Sequence, residues 1–463
     1  MRTLTANASV ISRKYQSVLH QSPVMEQAVQ AVLQQESTWT DLQQLTLCVT
    51  APVLIAYVQW VLDQAVARKI KQIYFLSRDG YVMHRIAQKL LAAAPRPVRC
   101  SYFYCSRFSL RMAAYCLDEQ AAYDRFFVRA AHLTARSVLE RGAFTQAERE
   151  QIYADIAFPP ETEQQPFDTA AFRQFCTQLR ASAVFHDLLM ARSREAYQMT
   201  KAYFQQEGLL NADVTCAIVD TGWTGTTQTV CQQLLHAMGG TGKLHGFYFG
   251  MLEYPQTGPD PDMHAYYFTP RTHMGRRLKF NHNVLECMCA APHGTTMGYT
   301  IQEDGKAVPI CKPMGAVDQA NAALAEQQER ICLAFTERVL PQVSFSDFAA
   351  LPLADVTESL LQRLLFRPTA EEAQAFGQFQ FCDDMGEMYA FPLASAGQEA
   401  ALKQGLLSQH VLQHFHHVES VQAEPFWVYG SLACSQIRRK RWYHWNFACW
   451  DWIRHAVNRR RGH

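Results

Sequence analysis

One stretch of this 463-residue chain concentrates the residue types that hold phosphate. Asp220-Thr221-Gly222-Trp223-Thr224-Gly225-Thr226-Thr227 follows an apolar β-prone run, Val214 to Asp220. A helical pattern then starts near Gln228 and runs through Val230, Leu234 and Leu235. A phosphate dianion needs several donors converging without steric bulk. Glycine lets backbone N–H groups approach, threonine adds hydroxyls, and a helix N-terminus adds partial positive charge. The loop Thr221–Thr227 is therefore expected to hold the phosphate of a phosphorylated sugar. Asp220, at the strand end, is expected beside the ligand, accepting from sugar hydroxyls or holding a metal-bound water. The bland alternative is an N-capped βα turn, which uses the same threonines and glycines.

Ser77-Arg78-Asp79-Gly80 ends a second apolar run, Ile73 to Leu76. A charged pair there is costly unless it faces a cleft. Arg78 suits bidentate contact with phosphate or pyrophosphate. Asp79 suits Mg²⁺ binding or proton abstraction. A solvated ion pair in a surface turn is the alternative. Ser106-Arg107, with Arg111 one helical turn on, follows a further strand candidate, Cys100 to Cys105, and repeats the signal more weakly. Glu286 stands in apolar company, Val284 to Cys289, where a carboxyl tends to a raised pKa that suits a general base. A partnered core glutamate fits that setting equally. His293 alone reads as a core or loop histidine. His410 and His414 have helical ligand spacing but lack the glutamate of an HExxH site, so a solvated helix face is expected. Asp383-Asp384 has no assigned role.

The elements that must position these residues alternate strand and helix. The runs Ile73–Leu76, Cys100–Cys105, Val214–Asp220, Leu244–Met251 and Ala265–Phe268 are expected strands of a parallel sheet covered on both faces. Ligands bind outside the carboxyl ends of such strands, where every chemistry-bearing segment here falls. Residues 1–70 read as an N-terminal helical segment on the core. Residues 71–310 read as the α/β core, with a helical insertion at about 110–210. Residues 311–430 read as a helical C-terminal region, and 431–463 as a basic aromatic helix.

Hydrophobic residues make up 48% of the chain, enough for a sizeable core, and the net charge is only +1. No global footprint for nucleic acid exists. The 14 cysteines form no CxxC pair, and Met1 to Ser22 lacks the apolar region of a secretory signal, so a reducing, cytoplasmic setting is expected. Leu47 to Val66 is interrupted by Gln59, Asp63 and Gln64, which predicts a buried or amphipathic helix rather than a span. Arg438 to His463 carries eight Lys/Arg against one acid, Asp451. Trp442, Trp445, Cys449 and Trp452 share one helical face there, which predicts a helix lying in a membrane interface. A helix docked on the protein, with a basic tail, is the alternative.

Taken in order, Tyr74-Phe75-Leu76-Ser77-Arg78-Asp79-Gly80, Ser106-Arg107, Ala217 to Gly225, Gly246-Phe247-Tyr248-Phe249-Gly250 and Glu286 resemble a domain of bacterial polysaccharide gene clusters, the glycan phosphoribosyltransferases. The resemblance covers roughly residues 45–300. It implies transfer of ribose 5-phosphate from phosphoribosyl pyrophosphate (PRPP) to a lipid-linked glycan in O-antigen or capsule biosynthesis. It also implies inversion to a β-ribofuranosyl product and a separate phosphatase that removes the phosphate. Thr224-Gly225-Thr226-Thr227 is similar to the PRPP loop of type I phosphoribosyltransferases, and Asp220 to the second acid of its acidic pair. Val219 and Trp223 depart from that pattern. The implied fold is a phosphoribosyltransferase-like α/β core with a parallel sheet, a large helical insertion and a helical C-terminal region.

On this resemblance Thr221, Gly222, Thr224, Gly225, Thr226 and Thr227 take the 5-phosphate. Ser77, Arg78, Gly80, Arg107 and Arg111 take the pyrophosphate. Asp79 and Asp220 hold Mg²⁺, and Asp79 or Glu286 receives the acceptor proton. The C-terminal helix keeps the enzyme on the inner face of the cytoplasmic membrane, beside a polyprenol-linked glycan acceptor. Two rivals stand beside this reading. One is a Mg²⁺-dependent phosphohydrolase of haloacid-dehalogenase type, although Ser77 occupies the nucleophile position and supplies no carboxylate. The other is a non-catalytic scaffold of the polysaccharide assembly complex.

Overall fold

The structure, a computed structural model, describes residues 10–128, 133–255, 262–342, 351, 353–381, 391–404, 406 and 425–460. His410, His414 and Asp383-Asp384 lie outside the described residues. Helix α1 (Ala51–Ala67) leads into strand β1 (Gln72–Leu76) and helix α2 (Gly80–Ala93). Strand β2 (Arg99–Phe103) and helix α3 (Arg107–Ala114) follow. After the insertion come β3 (Cys216–Trp223), α4 (Thr226–Ala237), β4 (Leu244–Met251) and β5 (Met263–Phe268). The five strands form one sheet in the order β2-β1-β3-β4-β5, and every neighbouring pair is parallel.

The protein is thus an α/β fold with a parallel sheet and a helical C-terminal region. All of β1 is buried, as a central strand covered on both faces must be, and its sequence is correspondingly apolar without alternation. The chain leaves β1 towards β2, then returns across it to β3. The carboxyl ends of β1 and β3 therefore flank the point where the strand order reverses, and a crevice opens there in such sheets.

Helix α1 and the segment before it, Asp41–Ala67, are apolar and long enough to cross a membrane, yet 94% of the most apolar stretch is buried inside the protein. It is a core helix, as its interrupting polar residues predict. The helices between β2 and β3 begin at side-chain N-caps, including Thr134, Thr145, Asp168 and Ser182. They close an apolar cluster of their own around Phe126, Val138, Phe175 and Phe185.

Helix α5 (His282–Met288) and a hairpin of β6 (Thr296–Ile301) and β7 (Ala307–Cys311) complete the region around the sheet. Helix α6 (Ala316–Val339) packs on α2 and α1. Near the C-terminus, α7 (Val428–Cys434) precedes α8 (Lys440–Arg460).

The third strand departs from its expected bounds. It runs three residues past Asp220, because Gly222 pairs with Gly250 and Trp223 with Met251. Thr221, Gly222 and Trp223 are ladder residues rather than loop. Gly222 has φ 116°, and a Cβ there would meet the Gly250 carbonyl oxygen at 2.2 Å, so two glycines make this close approach of β3 and β4 possible. Gly222→Ala is expected to cost about 2 kcal/mol or more, read as a lowered urea midpoint. Gly242→Ala, with nothing within 4 Å of its Cβ position, should leave the midpoint nearly unchanged. Equal midpoints for the two variants would contradict this account.

Candidate active site

Three carboxyl groups converge at the strand ends. Asp79 lies in the turn between β1 and α2. That turn, Ser77–Asp79, is short because α2 starts at Gly80, where a Cβ would sit 2.7 Å from the Phe75 carbonyl carbon. Asp220 is a residue of β3, and Glu286 of α5. The Thr221 hydroxyl donates to Asp79 Oδ2, and the Thr221 N–H donates to Asp220 Oδ1 at 2.9 Å. One threonine therefore ties the two aspartates together. Trp223 Nε1 donates to Glu286 Oε1 at 2.6 Å. Trp223 holds φ 82°, and its carbonyl accepts from the Leu252 and Glu253 N–H groups at 2.8 and 3.0 Å. A non-glycine residue in the left-handed region marks a locally over-determined backbone.

Burial sets the electrostatics of this trio. It raises the pKa of Asp79, against the pull of the Thr221 hydrogen bond and the charges of Arg78 and Arg107. Burial, then the neighbouring Asp79, pushes Asp220 up to about 7. Burial, then Asp79, pushes Glu286 up to about 8, although Trp223 and Arg107 act the other way. Like charges in a poorly solvated corner cannot all ionise at neutral pH without a compensating cation. Asp79 and Asp220 offer hard oxygen donors of the kind a divalent ion takes.

The other expected site residues separate into groups. Ser77 is a tie between strand ends: its hydroxyl donates to the Cys105 carbonyl at 2.6 Å and accepts from the Cys105 N–H at 3.0 Å. Gly80 serves packing, as above. Arg78 and Arg107 are exposed and near enough to the carboxyls to act on them. Ser106 caps α3 and donates to the Thr296 carbonyl at 2.6 Å, which sets Arg107 at the first position of that helix. Arg111 lies near Tyr115, Arg107, Arg125 and Arg141, and burial lowers its pKa.

Gly225 has φ 65° and opens α4 without a side-chain cap. The orphan N–H groups of a helix's first turn point outward at such an end. The Thr224 and Thr226 hydroxyls lie 3.3 Å apart there, and Thr227 follows in the same turn. Thr221 and Gly222, inside β3, are not part of this end.

The sequence reading missed three supports. Trp223 holds Glu286. Thr296 touches both Ser77, at 3.3 Å, and Ser106. Tyr57 of α1 donates to the Asp220 and Phe247 carbonyls at 3.1 and 2.8 Å. Only Tyr57 had a local signal, a polar tip within an otherwise apolar helix. His293, expected as a core or loop residue, lies among Tyr81, Tyr102 and Tyr104 and bonds the Tyr102 hydroxyl at 2.7 Å.

A second titratable cluster, His245, Asp262 and His264, lies at the opposite end of the sheet, where β4 and β5 begin. Lys243 pairs with Asp262, and Arg68 lies on His264, so cations already occupy the neighbourhood. Comparison with known proteins assigns nothing: no family model matches this chain, and no curated protein matches it.

Glu286 yields a pH prediction with a definite sign. In the ion-free protein its pKa lies near 8, against 4.5 for the ordinary group. As pH rises through that window the unfolded chain sheds a proton that the folded chain keeps, so this group's contribution to stability falls. Glu286→Gln should therefore unfold a few degrees higher than wild type at pH 8 in EDTA and lose that advantage at pH 5. Thermal unfolding at the two pH values checks it. A variant whose difference from wild type is the same at both would sink the assignment.

Proposed function

We propose that this chain transfers ribose 5-phosphate from PRPP to a sugar hydroxyl of a lipid-linked glycan, with release of pyrophosphate. The observation that carries the reading is the half-buried carboxyl trio at the strand-order reversal, faced by Arg78 and Arg107, with the uncapped start of α4 following on from β3. A trio of this kind destabilises the fold, which makes sense for a site that binds a cation and moves a proton. It makes little sense for a passive scaffold.

In this mechanism the bond from C1 of PRPP to pyrophosphate breaks as the acceptor oxygen bonds to C1. The acceptor proton passes to a carboxylate. Glu286 is the favoured base, because a pKa near neutrality matches its task and because Asp79 is engaged with Thr221 beside Asp220. Asp79 and Asp220 would hold Mg²⁺, which when bound helps neutralise the departing pyrophosphate. Arg78 and Arg107 contribute the chain's own cations to the same charge. The 5-phosphate would rest on Thr224, Gly225, Thr226 and Thr227 at the start of α4. Inversion from α to β, and a later phosphatase step by another protein, follow from the family resemblance.

Ser77 weighs against the phosphohydrolase alternative, since its hydroxyl is committed to the Cys105 backbone and no carboxylate stands in its place.

Calorimetry with PRPP, with and without Mg²⁺, tests the donor. Wild type should bind only with Mg²⁺, and Asp220→Asn should weaken binding at least tenfold, which is about 1.4 kcal/mol. Glu286→Gln should leave binding within about threefold while pyrophosphate release on adding acceptor falls about 10²–10⁴-fold. A folded wild type that ignores PRPP, or that frees inorganic phosphate from sugar phosphates, would overturn the proposal.

A further inference from the structure

The chain's charge is segregated. Its net charge is +1, yet Arg438 to His463 alone holds eight Lys/Arg and one Asp. Helix α8, which carries most of this segment, is fixed to the protein by one face. Phe447 and Asn446 are buried, and Phe447 packs on Tyr429. The His444 ring meets Phe366 and Tyr429 at 4.4 and 4.7 Å, and its Nε2 bonds the Phe366 carbonyl at 2.7 Å.

The opposite face is apolar and uncovered. Trp442, Trp445 and Trp452 are 47%, 62% and 62% exposed. At about 100° per residue they form one stripe, roughly 140° around the helix from the mean direction of His444 and Phe447. Three exposed tryptophans on one helix are an unfavourable surface unless something covers them.

At the root of this helix is a cavity of about 450 Å³. Phe366, Pro368, Tyr429 and Leu432 give it apolar walls. Arg367, Lys440 and Arg441 line it too, and all three are exposed. Cations around an apolar slot, beside a tryptophan stripe, match a molecule with a phosphate head and a hydrocarbon body.

We infer that α8 and the cavity at its root dock this protein on an anionic lipid bilayer, with one lipid phosphate among Arg367, Lys440 and Arg441 and the three tryptophans in the interface. This deepens the proposed function, because it supplies the surface on which a lipid-linked acceptor resides. The placement of α8 agrees. Arg277 feels the charges of both Arg454 of α8 and Glu253, just past the carboxyl end of β4.

Vesicle flotation of the full chain tests the inference. Wild type should float with phosphatidylcholine vesicles containing phosphatidylglycerol, float poorly with phosphatidylcholine alone, and detach as salt rises. The triple variant Trp442→Ser/Trp445→Ser/Trp452→Ser should lose at least tenfold in partitioning. Arg367→Gln/Lys440→Gln/Arg441→Gln should lose the preference for the anionic headgroup. Millimolar inorganic phosphate should not displace wild type, since a free phosphate lacks the hydrocarbon body; displacement by it would overturn the lipid assignment in favour of a soluble anion. The inference also fails if wild type ignores anionic vesicles, if the tryptophan variant floats as wild type does, or if the stripe instead drives self-association or RNA binding in solution. PRPP calorimetry without vesicles reads the active site separately. Unchanged PRPP binding in both variants confirms that they are folded, so a failed flotation and a failed donor assignment are distinguishable.

Discussion

Confining Asp79, Asp220 and Glu286 to one poorly solvated corner is the constraint on which the rest of this structure depends. Each carboxyl is disfavoured as an anion by burial, and each ionisation makes the next harder. Holding them together needs a frame that cannot relax. Three central strands and two flanking helices provide it, and the ties around the corner are short hydrogen bonds from committed donors. Thr221 bridges the aspartates, Trp223 pins Glu286, and Ser77 joins the ends of β1 and β2. The bonds from Thr221 and Trp223 also favour the ionised carboxyls they reach, in part offsetting what burial does to them.

Much of this corner was legible in the sequence, for a physical reason. A polar residue at the end of an apolar strand has few places to go in a parallel sheet, so Asp79, Asp220 and Arg107 could be placed by position alone. Glu286 was legible through its apolar neighbours. The extent of β3 was not. Thr221, Gly222 and Trp223 have the composition of a loop, and only the partner strand reveals that Gly250 makes room for Gly222. The Thr221 hydroxyl, expected on a phosphate, donates to Asp79 in the structure. Helical spacing from Arg107 does not specify which groups surround Arg111, and the structure sets Tyr115, Arg107, Arg125 and Arg141 near it. Thr296, distant in sequence and unremarkable in type, carries no local signal at all.

The C-terminal region is coupled to the corner through the backbone of Phe426. Its carbonyl accepts from Asn281 and Asn283 at 2.8 and 3.0 Å, at the start of the helix that presents Glu286. Trp427, fully buried, donates to the Leu365 carbonyl at 3.0 Å and anchors that stretch to the helical region. The position of Glu286 therefore depends on how the last quarter of the chain packs. That dependence gives the helical C-terminal region a role beyond bulk, since a shift of Phe426 would be felt first at the hydrogen bond between Trp223 and Glu286.

Charge balance at the corner bears directly on the proposed transfer. Arg78 and Arg107 are two cations facing three acidic groups, and two of those acids hold protons readily near neutrality. A polyphosphate approaching the ionised trio alone would meet net repulsion from Asp79 and Asp220 at close range, where the low local dielectric strengthens it. Under the proposed function, a dication entering with the anionic ligand would offset the aspartates and leave the arginines to the phosphates. Glu286 is held by Trp223 rather than by Thr221, so its proton answers to a different tie from those of the aspartates.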